Sequence, residues 1–390
     1  MKHVYLFTLL LLTQTGFSQA KLPVIKATSK SVSINDGGVL SKNSWTLLPQ
    51  VRPDVYKAER TRKTKWVTFY TDIDSIRVKV KPGSRYNFVV LLNGKDSCYT
   101  QIASAIPPES LQSKSIKNDT IPFTLTAYNA IMVKAILNGT DTLKLHYDIS
   151  SFDFHLTKEA ILNKTSLLPK QANPNAVPNF TKLNKAQTLK IGGLVWNNLE
   201  ILPTNVTAHE MDGRIGWNVF EGKQVELDYD KNLMIIHTKL PRNLKGYTKA
   251  PVTFIHSDLT VKASVQINNQ TYTGDFMLDN GSEQAMVLDS AFAARANLNS
   301  LKVIRSTTLH DATGRKYETK NIQVPLFNIN QHMLNNVPAS VLNYKSPTGY
   351  GVSFIGNDLF KRFNIILDLK NDNIYLKPNK LTAVKYRADS

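Results

Sequence analysis

Apolar and polar residues alternate with a period of two along much of the chain, which is the pattern of β-strands that bury one face. The alternation is clearest at residues 75–81 and 86–92, on either side of a Pro-Gly turn. Residues 21–115 as a whole are therefore predicted to form an N-terminal antiparallel β domain with one solvated face. A Pro-Pro pair and a polar run predict a linker that ends near residue 119.

One strand pattern then occurs twice, at residues 145–151 (Leu-His-Tyr-Asp-Ile-Ser-Ser) and at residues 277–282 (Met-Leu-Asp-Asn-Gly-Ser). Each is an apolar strand that ends in an aspartate, Asp148 or Asp279, followed by small residues that favour turns. An Asn-containing turn lies ten residues before each aspartate, which predicts a hairpin that delivers it. Each copy thus presents one carboxylate at the end of a strand.

The segments that follow each aspartate also correspond. Short helices are predicted at residues 157–163 and 290–296, and proline-containing loops at residues 169–178 and 338–347. Such loops could cover a cleft, although surface loops without a role are the commoner case.

Each copy next contains an apolar segment centred on a glycine and, twelve residues later, a second aspartate before an Asn-containing turn. These pairs are Gly216 with Asp228 and Gly356 with Asp368. The strand-end aspartates lie 131 residues apart and the glycines 140 apart, which indicates a duplicated domain rather than a short repeat. The glycines are predicted to permit close backbone approach, and the second aspartates to stabilise their turns.

The length of 390 residues allows two or three compact units, in agreement with this division. The two copies are predicted to form lobes at residues 121–241 and 251–379. With the N-terminal domain, the fold class expected is mainly β.

The N-terminus has the composition of a secretory signal peptide over residues 1–20. It contains Lys2, an apolar run at residues 4–12 and a small-residue exit. The mature chain is expected to begin near Lys21 and to be exported, either to the periplasm or out of the cell. No later stretch is long and apolar enough for a transmembrane helix, so none is predicted.

Composition argues against several kinds of site. Cys98 is the single cysteine, so neither an intrachain disulfide nor a thiolate metal cluster is possible. The histidines show no metal-ligand spacing, and no metal or cofactor is predicted. The formal charge of +18, from 48 Lys and Arg against 30 Asp and Glu, is scattered along the chain, which argues against nucleic acid as a partner.

The repeated aspartate suggests a specific chemistry. If the two strand ends face each other across a two-fold axis, their carboxylates lie within about 3 Å and share one proton. The charged member can act as a general base on water while the protonated member polarises a carbonyl. This is amide hydrolysis without a covalent intermediate or a metal. The sequence leaves open which aspartate is the base, because a coupled pair titrates jointly.

In these features the chain resembles the retropepsin-like and pepsin-like aspartic peptidases. Residues 277–282 resemble the family's Asp-Thr-Gly-Ser strand end, and residues 215–216 and 355–356 its apolar segments ending in glycine. The run at residues 356–368 is similar to retropepsin-like proteins of secreting bacteria. The resemblance covers residues 121–379. It implies bilobal, closed β-barrel lobes, a peptide or protein substrate in the cleft between them, and a monomer with internal pseudo-two-fold symmetry.

The resemblance implies that Asp148 and Asp279 are the catalytic residues. The supporting residues it implies are Ser151, Asn280, Gly281, Ser282, Gly216 and Gly356.

Copy one departs from the family pattern beside its aspartate. The family has Thr or Ser after each catalytic aspartate, where this chain has Ile149 and Asn280, so hydrogen bonding across the axis is expected to be half present. Ser150 replaces a glycine and is expected to be strained if that position needs a positive φ. His146 is predicted to face away from the aspartate.

Three functions follow from these observations. The first is an exported aspartic-type endopeptidase. The second is a catalytically degenerate relative that binds a peptide or an envelope component in the same cleft. The third gives the main binding role to the N-terminal β domain, with a glycan or surface polymer as the ligand.

Overall fold

The computed structural model describes residues 22–108, 118–168, 178–180, 183, 186–208, 210–310, 316–342 and 351–387. The predicted signal peptide, most of the predicted linker and the greater part of the proline-containing loops lie outside the described residues. The described chain is mainly β, as predicted. Within it, no helix is long and apolar enough to cross a membrane.

The described residues divide into two compact units. The first comprises residues 22–58, 64–81 and 85–103, and the second comprises residues 59–63, 82–84 and 104–387. The short segment 59–63 therefore belongs to the second unit, although strands of the first unit precede and follow it. The predicted lobe boundaries within the second unit stay predictions.

The first unit contains two four-stranded sheets, ordered β1-β7-β8-β4 and β3-β2-β5-β6. Val32, Phe69 and Phe88 are fully buried in its apolar core. Its strands are mostly antiparallel as predicted, but β1 runs parallel to β7. The strands are β1 (Val24–Ala27), β2 (Ser31–Asp36), β3 (Val39–Thr46), β4 (Asp54–Ala58), β5 (Lys65–Tyr70), β6 (Ser75–Val80), β7 (Arg85–Leu92) and β8 (Asp96–Ser104).

Copy one, in the second unit, forms a sheet with the order β15-β12-β16-β11-β10-β9-β18-β17, and β13 also pairs with β10 and β14. Its helix α1 (Lys158–Lys164) begins after Thr157, whose side chain accepts a hydrogen bond from the Ala160 N–H. The strands are β9 (Asp119–Leu125), β10 (Ile131–Leu137), β11 (Asp141–Asp148), β12 (Phe154–Thr157), β13 (Ala186–Ile191), β14 (Leu194–Leu199), β15 (Ile201–Thr204), β16 (Gly213–Gly216), β17 (Gln224–Asp228) and β18 (Leu233–His237).

Copy two contains a closed barrel of six strands, because β21, β22, β27, β23, β26 and β25 pair in sequence and β25 pairs back to β21. Its helices are α2 (Ser290–Arg295), capped by Asp289, and α3 (Asn357–Phe360). The strands are β19 (Thr248–Pro251), β20 (Thr253–Ile255), β21 (Asp258–Ile267), β22 (Gln270–Leu278), β23 (Met286–Leu288), β24 (Arg305–His310), β25 (Lys316–Ile329), β26 (His332–Leu342), β27 (Ser353–Ile355), β28 (Phe363–Asp368) and β29 (Asn373–Pro378).

The ring of copy one differs from the barrel of copy two. In copy one the strand that corresponds to β26 is interrupted at Glu200, so that β14 pairs with β13 and β15 pairs with β12. The prediction of a loop that begins at Pro338 is wrong for residues 338–342, because β26 continues to Leu342. The pairing of β26 with β23 begins at Ala339. The missing N–H of Pro338 therefore removes no hydrogen bond between these two strands.

The hairpins that lead to both aspartates form as predicted. The turn between β10 and β11 places Asn138 and Gly139 at φ of 50° and 81°. The turn between β21 and β22 places Asn268 and Asn269 at 49° and 62°. Asparagine and glycine tolerate this left-handed region better than other residues, which explains why these turns occur here.

The two copies share a sheet and a core. Strand β17 pairs antiparallel with β28, with Gln224 opposite Asp368 and Leu227 opposite Ile365. Buried residues of both copies, among them Tyr147 and Phe276, belong to one continuous apolar core. The two aspartate-bearing hairpins are therefore fixed to one scaffold.

An ion-pair cluster connects segment 59–63 to both copies within the second unit. The guanidinium of Arg60 lies 2.9 Å from the Glu221 carboxylate and 2.7 Å from the Asp372 carboxylate, and its side chain is 1% exposed. The same guanidinium lies 3.9 Å from the centre of the Phe254 ring. Arg62 contacts the same two carboxylates from a more exposed position.

Candidate active site

Each aspartate lies where a hairpin strand meets the glycine-ended segment of its own copy. Strand β11 runs parallel to β16, with Asp148 opposite Gly216. Strand β22 runs parallel to β27, and the Asp279 N–H donates to the Ile355 carbonyl at 2.9 Å. The same local arrangement therefore occurs twice.

The two glycines permit a close backbone approach at these junctions, as predicted. A Cβ atom at Gly216 would lie 2.3 Å from the Ser151 carbonyl oxygen. At Gly356 it would lie 2.1 Å from the carbonyl oxygen of Gln284. Any larger residue would push the turn after the aspartate away from the strand that supports it.

The structure brings the two aspartates together around Gly281. A methyl group added to this glycine would lie 3.2 Å from Oδ2 of Asp148 and 3.2 Å from Oδ1 of Asp279. Carboxylate oxygens from the two copies therefore flank one small space. Asp148 is buried and Asp279 is partly exposed.

The two carboxylates receive different hydrogen bonds. Oδ1 of Asp148 accepts from the Ser150 N–H at 3.0 Å and from the Ser150 hydroxyl at 2.7 Å. Oδ1 of Asp279 accepts from the N–H groups of Gly281 at 3.0 Å and Ser282 at 3.1 Å. Copy one thus supplies a hydroxyl to its own aspartate, and copy two supplies backbone donors alone.

The environment raises the pKa of Asp279 to about 6. Burial of the carboxyl group is the main cause, and the negative charge of Asp148 is the second. Hydrogen bonds from the Ser150 hydroxyl and from the Gly281 and Ser282 N–H groups act in the opposite direction. Asp279 therefore keeps a proton well above the pH at which an ordinary aspartate loses it.

Asn280 makes two hydrogen bonds between the two aspartate turns. Its Oδ1 accepts from the Ile149 N–H at 2.6 Å, and its Nδ2 donates to the Tyr147 carbonyl at 2.6 Å. The expectation that these interactions are half present is therefore confirmed, because the Asn280 side chain bonds across the axis and the alkyl side chain of Ile149 cannot. The Asn280 carbonyl in turn accepts from the side-chain amide of Asn357.

Ser150 is not strained. Neither Ser150 nor the corresponding Gly281 has a positive φ, so the expected conformational penalty is absent. The Ser150 side chain is occupied by its hydrogen bond to Asp148. The substitution of glycine by serine thus adds a polar contact inside the site.

The prediction that His146 faces away from Asp148 is wrong. Residues two apart in a strand lie on the same face, since the side-chain period of a strand is two. Nδ1 of His146 lies 3.9 Å from Oδ2 of Asp148, and the histidine side chain is 1% exposed. The sequence carried this signal in the even spacing of the two residues.

The remaining predicted residues have mixed surroundings. The Ser151 hydroxyl accepts a hydrogen bond from Nε of Arg214 at 2.9 Å, so this contact is directed to Arg214. Asp228 accepts from the Lys231 N–H, and Asp368 from the N–H groups of Lys370 and Asn371. Both distal aspartates therefore stabilise turns, as predicted.

A polar cavity of about 390 Å³ lies beside the turn that follows Asp279. Both signs of charge occur in its walls, so it does not by itself select the charge of a ligand. Its lining includes Glu283, Gln284, Arg305, Ser340, Asp358 and Arg387. Among the residues that the structure describes, no cluster of three or more His, Cys, Asp or Glu side chains could hold a metal ion.

Part of the chain matches the model of a known protein family. Residues 263–359 match the family model described as aspartyl protease. The matched segment contains Asp279 and Gly356, and the match agrees with the resemblance to the retropepsin-like and pepsin-like aspartic peptidases.

One solved structure similar to the chain is that of the aspartic proteinase from Irpex lacteus. The two share 14% sequence identity with a TM-score of 0.47, and the match covers 69% of this chain and 100% of that chain. No curated protein sequence matches the chain.

Proposed function

We propose that the protein is an aspartic-type endopeptidase that hydrolyses peptide bonds with water activated between Asp148 and Asp279. The observation that carries the proposal is the placement of one carboxylate from each copy against Gly281. The raised pKa of Asp279 supports it further, because a shared proton requires one member of the pair to stay protonated where the other is charged.

The environment of the pair supports an assignment of roles below about pH 6. Asp279 carries the proton, and Asp148 is the charged member, stabilised by two donors from Ser150. Asp148 takes a proton from water as the water oxygen bonds to the carbonyl carbon, and Asp279 gives its proton to the carbonyl oxygen. The amide nitrogen then takes up the proton held by Asp148, one hydroxyl of the tetrahedral intermediate returns a proton to Asp279 as the C–N bond breaks, and two peptides leave.

The substrate proposed is a peptide or unfolded protein segment bound between the two copies. The antiparallel register of β17 and β28 supports a pseudo-two-fold arrangement, because Gln224 of copy one lies opposite Asp368, which is the copy-two counterpart of Asp228. The chain is proposed to act as a monomer, since one chain supplies both carboxylates. Export of the mature chain to the periplasm or beyond the cell is proposed from its N-terminal sequence.

A cleavage assay tests the enzymatic proposal. The mature chain, beginning near Lys21, is incubated with an unstructured protein substrate between pH 3 and 7, beside Asp148→Asn and Asp279→Asn. Each variant is expected to lose about 10²–10⁴-fold in activity, the usual contribution of general acid–base catalysis. Asp275→Asn is the matched control, because Asp275 pairs with Lys262 at the surface, and it should cleave as the unchanged chain does.

Absence of cleavage by the unchanged chain over this range would refute the enzymatic proposal. The competing function is peptide binding by a catalytically degenerate relative. Ile149 gives that alternative no support, because its side chain is buried in the apolar core. Retained binding of an uncleaved peptide by the unchanged chain, measured by calorimetry, would establish that alternative.

A further inference from the structure

His146 is a buried titratable group beside the proposed catalytic pair to which the mechanism above assigns no task. It precedes Asp148 by two residues on β11, and its Nδ1 lies 3.9 Å from the nearer carboxylate oxygen of Asp148. Its Nε2 is buried and has no hydrogen-bond partner among the residues that the structure describes. A polar atom buried in this way is costly to the fold, so a role in the site would account for its presence.

The corresponding position of copy two holds an apolar residue. Met277 precedes Asp279 by two residues and packs in a small apolar cluster with Val287, Val352 and Phe354. The two strand ends are otherwise similar, and each presents its aspartate beside a glycine-ended strand. The imidazole therefore distinguishes one aspartate from the other.

Burial and three nearby groups affect the ionisation of the imidazole. Burial lowers the pKa of His146 and is the largest effect, while the charge of Asp148 raises it. The Asn280 backbone, on the turn after β22, also raises the pKa, and Arg214 on the neighbouring strand β16 lowers it. The partner of His146 on the other neighbouring strand, β10, is Met132, which carries no charge.

We propose that His146 is a positioning residue that favours the charged form of Asp148 and thereby keeps the pair singly protonated at acid pH. This inference rests on the proposed peptidase function. A neutral imidazole with its proton on Nδ1 directs that N–H toward the carboxylate and stabilises its negative charge, and an imidazolium does so more strongly. In both of these forms the ring opposes uptake of the second proton, which would leave the site without a base.

The pH profile of kcat/KM tests the proposal through His146→Met, which gives copy one the residue of copy two. Loss of the ring should let the pair take up its second proton at higher pH. The acid limb is therefore expected to move up by about 0.5–1 pH unit, which is toward the lower end of the effects of a charge within 4–6 Å. At pH values below the limb, activity should fall about 3–10-fold, with little change at the optimum.

Met277→Leu is the matched control, because it alters packing at the corresponding position without changing a titratable group. Its acid limb should coincide with that of the unchanged chain. A limb that does not move in His146→Met, or that moves equally in Met277→Leu, would overturn the proposal.

A second measurement does not depend on catalysis or on the folding of the His146 variant. The imidazole of His146 is titrated by NMR in the full chain and in Asp148→Asn. Because the charge of Asp148 raises the pKa of His146, the variant should show a fall of about 1 unit. An unchanged pKa would refute the coupling even if the chain proves to be an active peptidase, and a fall would support it even if no cleavage is found.

Discussion

The two aspartate turns have the same backbone arrangement but different side chains. The turn after Asp148 carries Ile149 and Ser150, and the turn after Asp279 carries Asn280 and Gly281. Judged by residue type alone, copy one lacks both the polar residue and the glycine of the peptidase pattern. The contacts give another result, because each turn supplies what the other lacks.

Asn280 of copy two provides two hydrogen bonds that join the turns. Ser150 of copy one provides a hydroxyl to Asp148, and this hydroxyl also lowers the pKa of Asp279. Gly281 leaves the space in which the two carboxylates meet. A two-fold site in a single chain can thus divide its supporting contacts between the copies, which a homodimer of identical copies cannot do.

The largest expected effect concerns the link between the copies at Arg60. Arg60→Met would leave the buried carboxylate of Glu221 without its main partner and should reduce the free energy of unfolding by about 3–5 kcal/mol. Arg62→Met is the control, because the Arg62 side chain is 38% exposed, and such a pair contributes about 1 kcal/mol or less. Urea denaturation measures both. Equal losses would show that burial of Arg60 has no special effect.

Asn280→Ala should remove two hydrogen bonds between the turns. The Ile149 N–H and the Tyr147 carbonyl would both lose a buried partner, at about 1–3 kcal/mol each. We expect a loss of about 3 kcal/mol in stability and a fall in peptidase activity at every pH. In Ile149→Val the backbone N–H is kept, so the loss should be about 0.5–1.5 kcal/mol. A small effect of Asn280→Ala on both stability and activity would contradict the assigned role.

The pH dependence of stability should differ between the unchanged chain and Asp279→Asn. The pKa of Asp279 is raised from 3.8 to about 6 in the folded state. Between these pH values the folded state therefore binds more protons than the unfolded state. Stability from this group is present below about pH 4 and is lost as the pH rises through 6. We expect Asp279→Asn to gain about 2 kcal/mol relative to the unchanged chain between pH 3.5 and pH 7. Parallel urea titrations at the two pH values measure this difference.

The smallest effects should come from exchanging the residues two positions after each aspartate. Ser150→Gly removes a hydrogen bond that lowers the pKa of Asp279, so the upper limb of the activity profile should move to higher pH by about 0.5 unit. Gly281→Ser places a Cβ atom 3.2 Å from oxygens of both carboxylates. We expect a loss of about tenfold in kcat/KM, or about 1.4 kcal/mol. Equal responses would mean that the turns are interchangeable.

The sequence predicted the elements that depend on local patterns. The hairpins ending in Asp148 and Asp279 follow from alternation and from asparagine turns, and the glycine positions follow from the repeat. It could not predict that one amide, that of Asn280, would make both contacts between the turns, because that depends on how two distant segments meet. The orientation of His146 was predictable from the two-residue period of a strand, which places His146 and Asp148 on the same face.

The Arg60 cluster was not predictable from sequence patterns. Arg60 follows a strand of the first unit in a charged stretch that is typical of a solvated turn, and its partners lie 161 and 312 residues further along the chain. Nothing in the local sequence distinguishes a buried arginine from an exposed one such as Arg62. The distinction arises from tertiary packing against Glu221 and Phe254.

The separation of these partners affects how the chain can fold during synthesis. Segment 59–63 leaves the ribosome well before Glu221, and the contact with Asp372 cannot form until a further 312 residues have been added after Arg60. Domains generally fold as units in the order in which they are synthesised. Here the first unit, which extends to residue 103, can be complete while Arg60 is still without the carboxylates of both copies. The Arg60 contacts of the second unit therefore form after the first unit has been synthesised.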